Sequence, residues 1–248
     1  MPLANLKPNE RYAFVGKTRS GKTALAMVLA GTFARTLPSP WQVWWFDTKN
    51  DPDDIRDLRK WGFRNASSRE DRRPEQGGLS NAIYYRITDK SVTGDGPDTV
   101  DQVQALCSAA YDRGHVIVVI DEYTQACPSS RSAGKALLNV FTRGGGRKVG
   151  VIGLTQEPVY VPRQLISQAT HVCLLTVTYE ADIKYVKNLC KVYVPPAERA
   201  NPYGFYWRWI DGQQEWDYYE NQKVWYDQLK IAKNLQSVGD LPSGVPTK

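Results

Sequence analysis

The feature that most constrains this chain is an octapeptide, Gly16-Lys17-Thr18-Arg19-Ser20-Gly21-Lys22-Thr23, set between two unlike runs. Before it stands Tyr12 to Val15 (YAFV), a short apolar run of strand size. After it, Thr23 to Thr36 is rich in Ala and Leu and reads as a helix. A GxxxxGK[ST] pattern in that context commits the chain to a strand–loop–helix unit. Glycines at both ends let the loop curl so that its backbone N–H groups face an anion. The helix behind it adds its positive N-terminal end. In such a loop Lys22 reaches the β- and γ-phosphates of a nucleotide, and the Thr23 hydroxyl is a ligand for Mg²⁺. The expected occupant is ATP with Mg²⁺. A plain glycine turn is the bland alternative, and the flanking strand and helix argue against it.

Short apolar runs alternate with helical patterns along the rest of the core, the signature of an α/β fold with a mostly parallel sheet flanked by helices. Strands are expected at Gln42 to Phe46, Ile83 to Ile87, Val116 to Ile120, Val149 to Leu154 and His171 to Thr176. Helices are expected at Asp53 to Trp61, Asp98 to Arg113, Ser132 to Thr142, Pro162 to Gln168 and Glu180 to Cys190. The stretch from Arg64 to Ser80 is polar, holds Pro74, Gly77 and Gly78, and reads as a loop. Beyond Pro195-Pro196 the composition changes: four of the eight Trp lie between Trp207 and Trp225, in runs such as FYWRWI that suggest a β-hairpin. The expected organisation is a core over 1–200, an aromatic-rich hairpin and helix over 201–237 packed on it, and a disordered tail over 238–248. Docking of the aromatic segment to a partner is the alternative.

Two further motifs carry chemistry. In VIVVIDE, Asp121 follows the most β-branched run of the chain, where a carboxylate can hold Mg²⁺ together with Thr23. Glu122, next to it, is placed to accept a proton from an attacking water. In GVIGLTQEP, Thr155 and Gln156 end another strand, where a polar side chain such as Gln156 can sense a γ-phosphate or orient water; a polar strand end that only turns the chain before Pro158 is the alternative. Just upstream, TRGGGRKVG offers Arg143 and Arg147, either as an arginine finger supplied to the next subunit, with Arg147 preferred, or equally as DNA-facing or solvated charges.

Composition narrows the class. Hydrophobic residues make up 42% and charged residues 23%, which excludes wholesale disorder. No apolar run approaches the ~18 residues of a membrane span, and the N-terminus lacks a signal-peptide core. The expectation is a soluble, intracellular protein with no membrane insertion. Cys107, Cys127, Cys173 and Cys190 are widely spaced and read as reduced, mostly buried thiols. His115 and His171 sit at strand starts and read as structural. The net charge of +6 suits a nucleic-acid partner without demanding one.

Taken together, GKTRSGKT, WWFDTKND, VIVVIDE and GRKVGVIGLTQEP resemble the FtsK–HerA superfamily of P-loop ATPases. The matching positions are Asp47 and Lys49, Gly146 and Arg147, and Thr155, Gln156 and Pro158, within about residues 10 to 176. The short chain looks most like the genome-packaging ATPases of tailless or internal-membrane icosahedral phages. That resemblance implies a RecA-like (ASCE) core and a homo-oligomeric ring, usually hexameric, that moves double-stranded DNA through its centre by ATP hydrolysis. It implies work in the host cytoplasm or at a virion vertex, with a capsid portal or vertex protein as candidate partner. Basic residues able to face such DNA are Arg64, Arg69, Arg72 and Arg73 in the polar stretch and Arg131 and Lys135 after Asp121. Solvated surface charge is the alternative for each. Two other functions remain open: a small-molecule or nucleoside kinase, and a nucleotide-switched partition or assembly protein. The adjacent Asp121-Glu122 pair and the TQEP strand end count against the first, and the full set of hydrolytic parts against the second.

Overall fold

A computed structural model describes residues 6–66, 79–88, 97–190, 204–209 and 216–232. Among these residues nine strands form one sheet: β1 (Arg11–Val15), β2 (Gln42–Asp47), β3 (Arg64–Asn65), β4 (Ala82–Arg86), β5 (Val116–Ile120), β6 (Val149–Thr155), β7 (His171–Leu174), β8 (Phe205–Trp209) and β9 (Trp216–Tyr219). Their order is β3-β4-β2-β5-β6-β1-β7-β8-β9. The first seven strands pair in parallel, and the aromatic hairpin joins antiparallel to β7.

Period-2 alternation decides what each face buries. Tyr12 and Phe14 of β1, with Ile117 and Val119 of β5, face a layer built by α1 (Lys22–Thr36), α2 (Pro52–Lys60) and the C-terminal α8 (Gln222–Ala232). Ala13 and Val15, with Val116, Val118 and Ile120, face α3 (Thr99–Arg113), α5 (Lys135–Arg143), α6 (Gln164–Ser167) and α7 (Glu180–Cys190). VIVVI is fully buried, as a strand covered on both faces must be. The aromatic segment continues the same sheet: Trp207 is fully buried, edge-on to Phe14 at 5.7 Å and stacked on Trp225 at 5.4 Å.

Several boundaries differ from the expectation. Arg64 does not open a loop; Arg64–Asn65 pairs with Ile83 and Tyr84 of β4 as a two-residue strand. A four-residue helix, α4 (Tyr123–Ala126), follows Glu122 directly and has no sequence counterpart above. The helix expected from Ser132 begins three residues later. Gly134 sits at φ 76°, and the first free amides of α5, Ala136 and Leu137, donate to Gln104 Oε1 on α3 at 2.9 and 3.3 Å. The cap is therefore non-local. The Gly144–Arg147 segment forms a 3₁₀ turn. Cys107, Cys127 and Cys173 are free and buried. His171 is buried and bonded, with Nε2 at 2.8 Å from Glu10 Oε2 and Nδ1 accepting from Trp207 Nε1 at 3.3 Å. The expected disordered tail lies outside the described residues. Among those that are described, no helix is long and apolar enough to cross a membrane.

Candidate active site

The parallel strands β1, β2, β5 and β6 all end at one edge of the sheet, so their following residues meet there. Residues 16–21 leave β1 as a curled loop. Gly16 N–H donates to Thr155 O at 3.2 Å, and Lys17 N–H to Thr176 O at 2.7 Å. Gly21 takes φ 93°, which a side chain would strain, and the turn of chain this allows starts α1 at once. Lys17, Thr18 and Arg19 are exposed, while Ser20 and Lys22 are buried. Lys22 Nζ donates to the carbonyls of Gly16 and Lys17 at 2.6 and 2.8 Å. Burial, with Lys49 nearby, pulls its ammonium down to about 8.

The carboxylates come from β5 and β2. Asp121 is wholly buried. Its Oδ1 accepts from Thr23 Oγ1 at 3.5 Å and from Lys49 Nζ at 3.0 Å, whereas Oδ2 has no hydrogen-bond partner. A hydroxyl and a carboxylate brought together, with one buried oxygen unspent, is a donor set that fits Mg²⁺. Glu122 is 4% exposed. Its Oε1 accepts from Thr124 N–H and Oγ1 at 3.4 and 3.1 Å, and its Oε2 is unpartnered. Burial raises its affinity for a proton against the opposing pull of Lys49 and Lys22. The backbone after Glu122 turns immediately into α4, whose Tyr123 ring is buried against Gly153 of β6. Only a residue without Cβ leaves room for that ring, so Gly153 helps fix where Glu122 stands.

Gln156 Oε1 accepts from the Thr18 hydroxyl, which ties the end of β6 to the phosphate loop. Thr155 is buried and its Oγ1 accepts from Glu157 N–H at 3.2 Å, so it shapes the turn. Two further acids border the site. Asp47, 1% exposed, is lifted to about 6, mainly by burial and further by Asp121. Asp54 on α2 is lifted to about 7 by burial and then by Asp121. Asp47 lies within the WWFDTKND match; for Asp54 the only signal is the Asp51-Pro52-Asp53-Asp54 helix start beside it.

The remaining residues named from sequence stand elsewhere. Arg147 lies before β6, at the opposite end of the sheet, and its Nε and Nη2 donate to the carbonyls of Tyr111 and Asp112 at 3.2 and 2.9 Å. Arg143 is exposed at the end of α5. Neither reaches the phosphate loop of its own chain, so any role at a phosphate is in another copy. Arg64 is half-buried and donates to Ser80 O at 3.1 Å. Arg131 and Lys135 are exposed around the turn that leads into α5. Arg69, Arg72 and Arg73 lie outside the described residues.

No protein-family model matches the chain, and no curated protein matches it. Solved structures do. The DNA-packaging ATPase B204 from Sulfolobus turreted icosahedral virus superimposes with a TM-score of 0.62 at 16% identity, over 87% of this chain and 99% of that one. The genome-packaging NTPase B204 from Sulfolobus turreted icosahedral virus 2, in complex with AMPPCP, gives 0.60 at 15% identity, over 87% and 99%. The chain shares the fold of these two structures, a mostly parallel sheet flanked by helices. VirB4 of Thermoanaerobacter pseudethanolicus shares it, with a TM-score of 0.58 at 11% identity over 87% of this chain and 91% of that one. Identities this low establish architecture. In this chain that architecture is the mostly parallel sheet whose carboxyl edge gathers residues 16–23, Asp121, Glu122 and Gln156.

Proposed function

We propose that this chain is an ATP-hydrolysing motor for double-stranded DNA, working as a homo-oligomeric, most simply hexameric, ring that packages a viral genome. The observation that carries the reading is Glu122, a buried carboxylate with one free oxygen, standing beside Asp121 and the phosphate loop. A phosphoryl acceptor other than water would need its own pocket at this point. A glutamate with raised proton affinity serves water directly.

In this reading Lys22 exchanges its two loop carbonyls for the β- and γ-phosphate oxygens of ATP. Thr23 and Asp121 would hold Mg²⁺, which supplies charge neutralisation on the phosphates. Water attacks the γ-phosphorus, the bond to the bridging β–γ oxygen breaks, and Glu122 takes the water proton. Gln156 reports the γ-phosphate to the loop through Thr18. Arg147 or Arg143 of a neighbouring copy stabilises the charge on the transferring group. DNA runs past basic side chains, among them Arg64, Arg69, Arg72, Arg73, Arg131 and Lys135. Because these meet phosphates and not bases, binding is independent of sequence and weakens with salt. The motor acts in the host cytoplasm, docked on a portal or vertex protein of the capsid. Steady-state ATP hydrolysis with and without double-stranded DNA, at low and high salt, tests the proposal. Stimulation that fades with salt is expected; hydrolysis indifferent to DNA at every salt concentration sinks the motor reading.

A further inference from the structure

The sheet order fixes which way a nucleotide lies across this site. Asp121 and Glu122 end β5, which is separated from β1 by β6, the strand that ends in Gln156. With the roles proposed above for Asp121, Glu122 and Gln156, the γ-phosphate lies on that side. β7 borders β1 on the other side, so the nucleoside end extends toward the segment that follows β7. This segment is locked to the phosphate loop. Leu175 N–H donates to Val15 O at 2.8 Å, and Thr176 O accepts from Lys17 N–H at 2.7 Å. A Cβ on Gly16 would come within 2.8 Å of Leu175 Cβ.

Three residues beyond Thr176 stands Tyr179, 72% exposed and the barest large hydrophobic side chain of the described residues. Its carbonyl accepts from Ile183 N–H at 2.9 Å at the start of α7, so its backbone is fixed while its ring contributes little to the core. We propose that Tyr179 is a stacking platform for the base of the bound nucleotide, an inference that rests on the nucleotide-site reading above. A ring that offers only its face recognises the face that every base has. It adds affinity without selecting strongly among bases, and the phosphate loop does the rest.

Calorimetric titration of ATP and of inorganic tripolyphosphate, each with Mg²⁺, into the wild type, Tyr179→Ala and Tyr179→Phe tests this. Tyr179→Ala is expected to weaken ATP about tenfold and leave tripolyphosphate unchanged, with Tyr179→Phe restoring ATP. Equal ATP affinity in the wild type and Tyr179→Ala overturns the platform. So does an equal loss of both ligands, or a change in oligomeric mass by light scattering, since either makes the ring a packing element of the loop or of a neighbouring copy. Failure of the underlying site looks different: the wild type itself would bind neither ATP nor tripolyphosphate.

Discussion

The carboxyl edge of the sheet and its aromatic flank both grow from β1. Each buries polar atoms without a hydrogen-bond partner, Trp225 Nε1 at the flank among them, but they differ in how their buried acid–base groups are paired. At the flank, His171 uses both ring nitrogens, on Glu10 and Trp207, and stacks on Tyr12 at 4.5 Å. At the edge, Asp47, Asp121 and Glu122 each bury a carboxylate oxygen that has no hydrogen-bond partner. Each such atom costs about 1–3 kcal/mol in an ordinary core. A fold that fills one end of β1 with stacked rings and gathers buried carboxylates at the other separates its packing from the chemistry proposed for it. Substitutions at the two ends should therefore separate activity from stability.

The largest separation is expected from Lys22→Ala. It removes the ammonium proposed above to meet the phosphates and should lower ATP hydrolysis by at least ~10³-fold in a steady-state assay. The unfolding midpoint should move little, since the lysine donates only to loop carbonyls. Trp207→Ala should do the reverse. Deleting a fully buried indole costs about 3–5 kcal/mol in urea unfolding. Hydrolysis per folded molecule at low temperature should stay near the wild type; collapse of both together would mean that the flank holds the site in place.

Glu122→Gln comes next. Turnover should fall by about 10²- to 10³-fold while calorimetric ATP affinity is kept. Normal turnover in that variant would remove Glu122 from the chemistry.

How far each end was legible from sequence follows the same division. The phosphate loop, VIVVIDE and the TQEP strand end are local patterns, and the structure brings them to one edge. The FYWRWI hairpin was legible from aromatic alternation alone. What escaped was non-local or too short to carry a period. Arg64–Asn65 is a strand only because β4 offers it a partner, and α4 is one turn long. The start of α5 is set by an amide on another helix, Gln104. Asp54 looks like an ordinary helix-start acid and becomes part of the site only through proximity to Asp121.

The two ends should also titrate with opposite sign, which gives the subtlest test. Burial lifts Asp47 from an ordinary 3.8 to about 6, against the Asn50 N–H and with help from Asp121. The folded state then holds a proton that the unfolded chain has already released, so stability falls as pH rises between about 4 and 6. Asp54, lifted to about 7, extends that slope in the same direction. At Glu10 burial also pushes upward, but the bond and charge of His171, with Lys7 N–H, outweigh it and lower its proton affinity. Its contribution is therefore present above the ordinary glutamate range and lost as pH falls. Asp47→Asn keeps an acceptor for the Asn50 N–H and removes the buried charge. Well above pH ~6 it should be more stable than the wild type by about 3 kcal/mol, with little difference near pH ~4. Glu10→Gln should flatten the acid limb instead. Urea unfolding from pH 4 to 8 reads both, and an Asp47→Asn variant less stable than the wild type at pH 8 would show that Lys49 and Arg86 outweigh burial there.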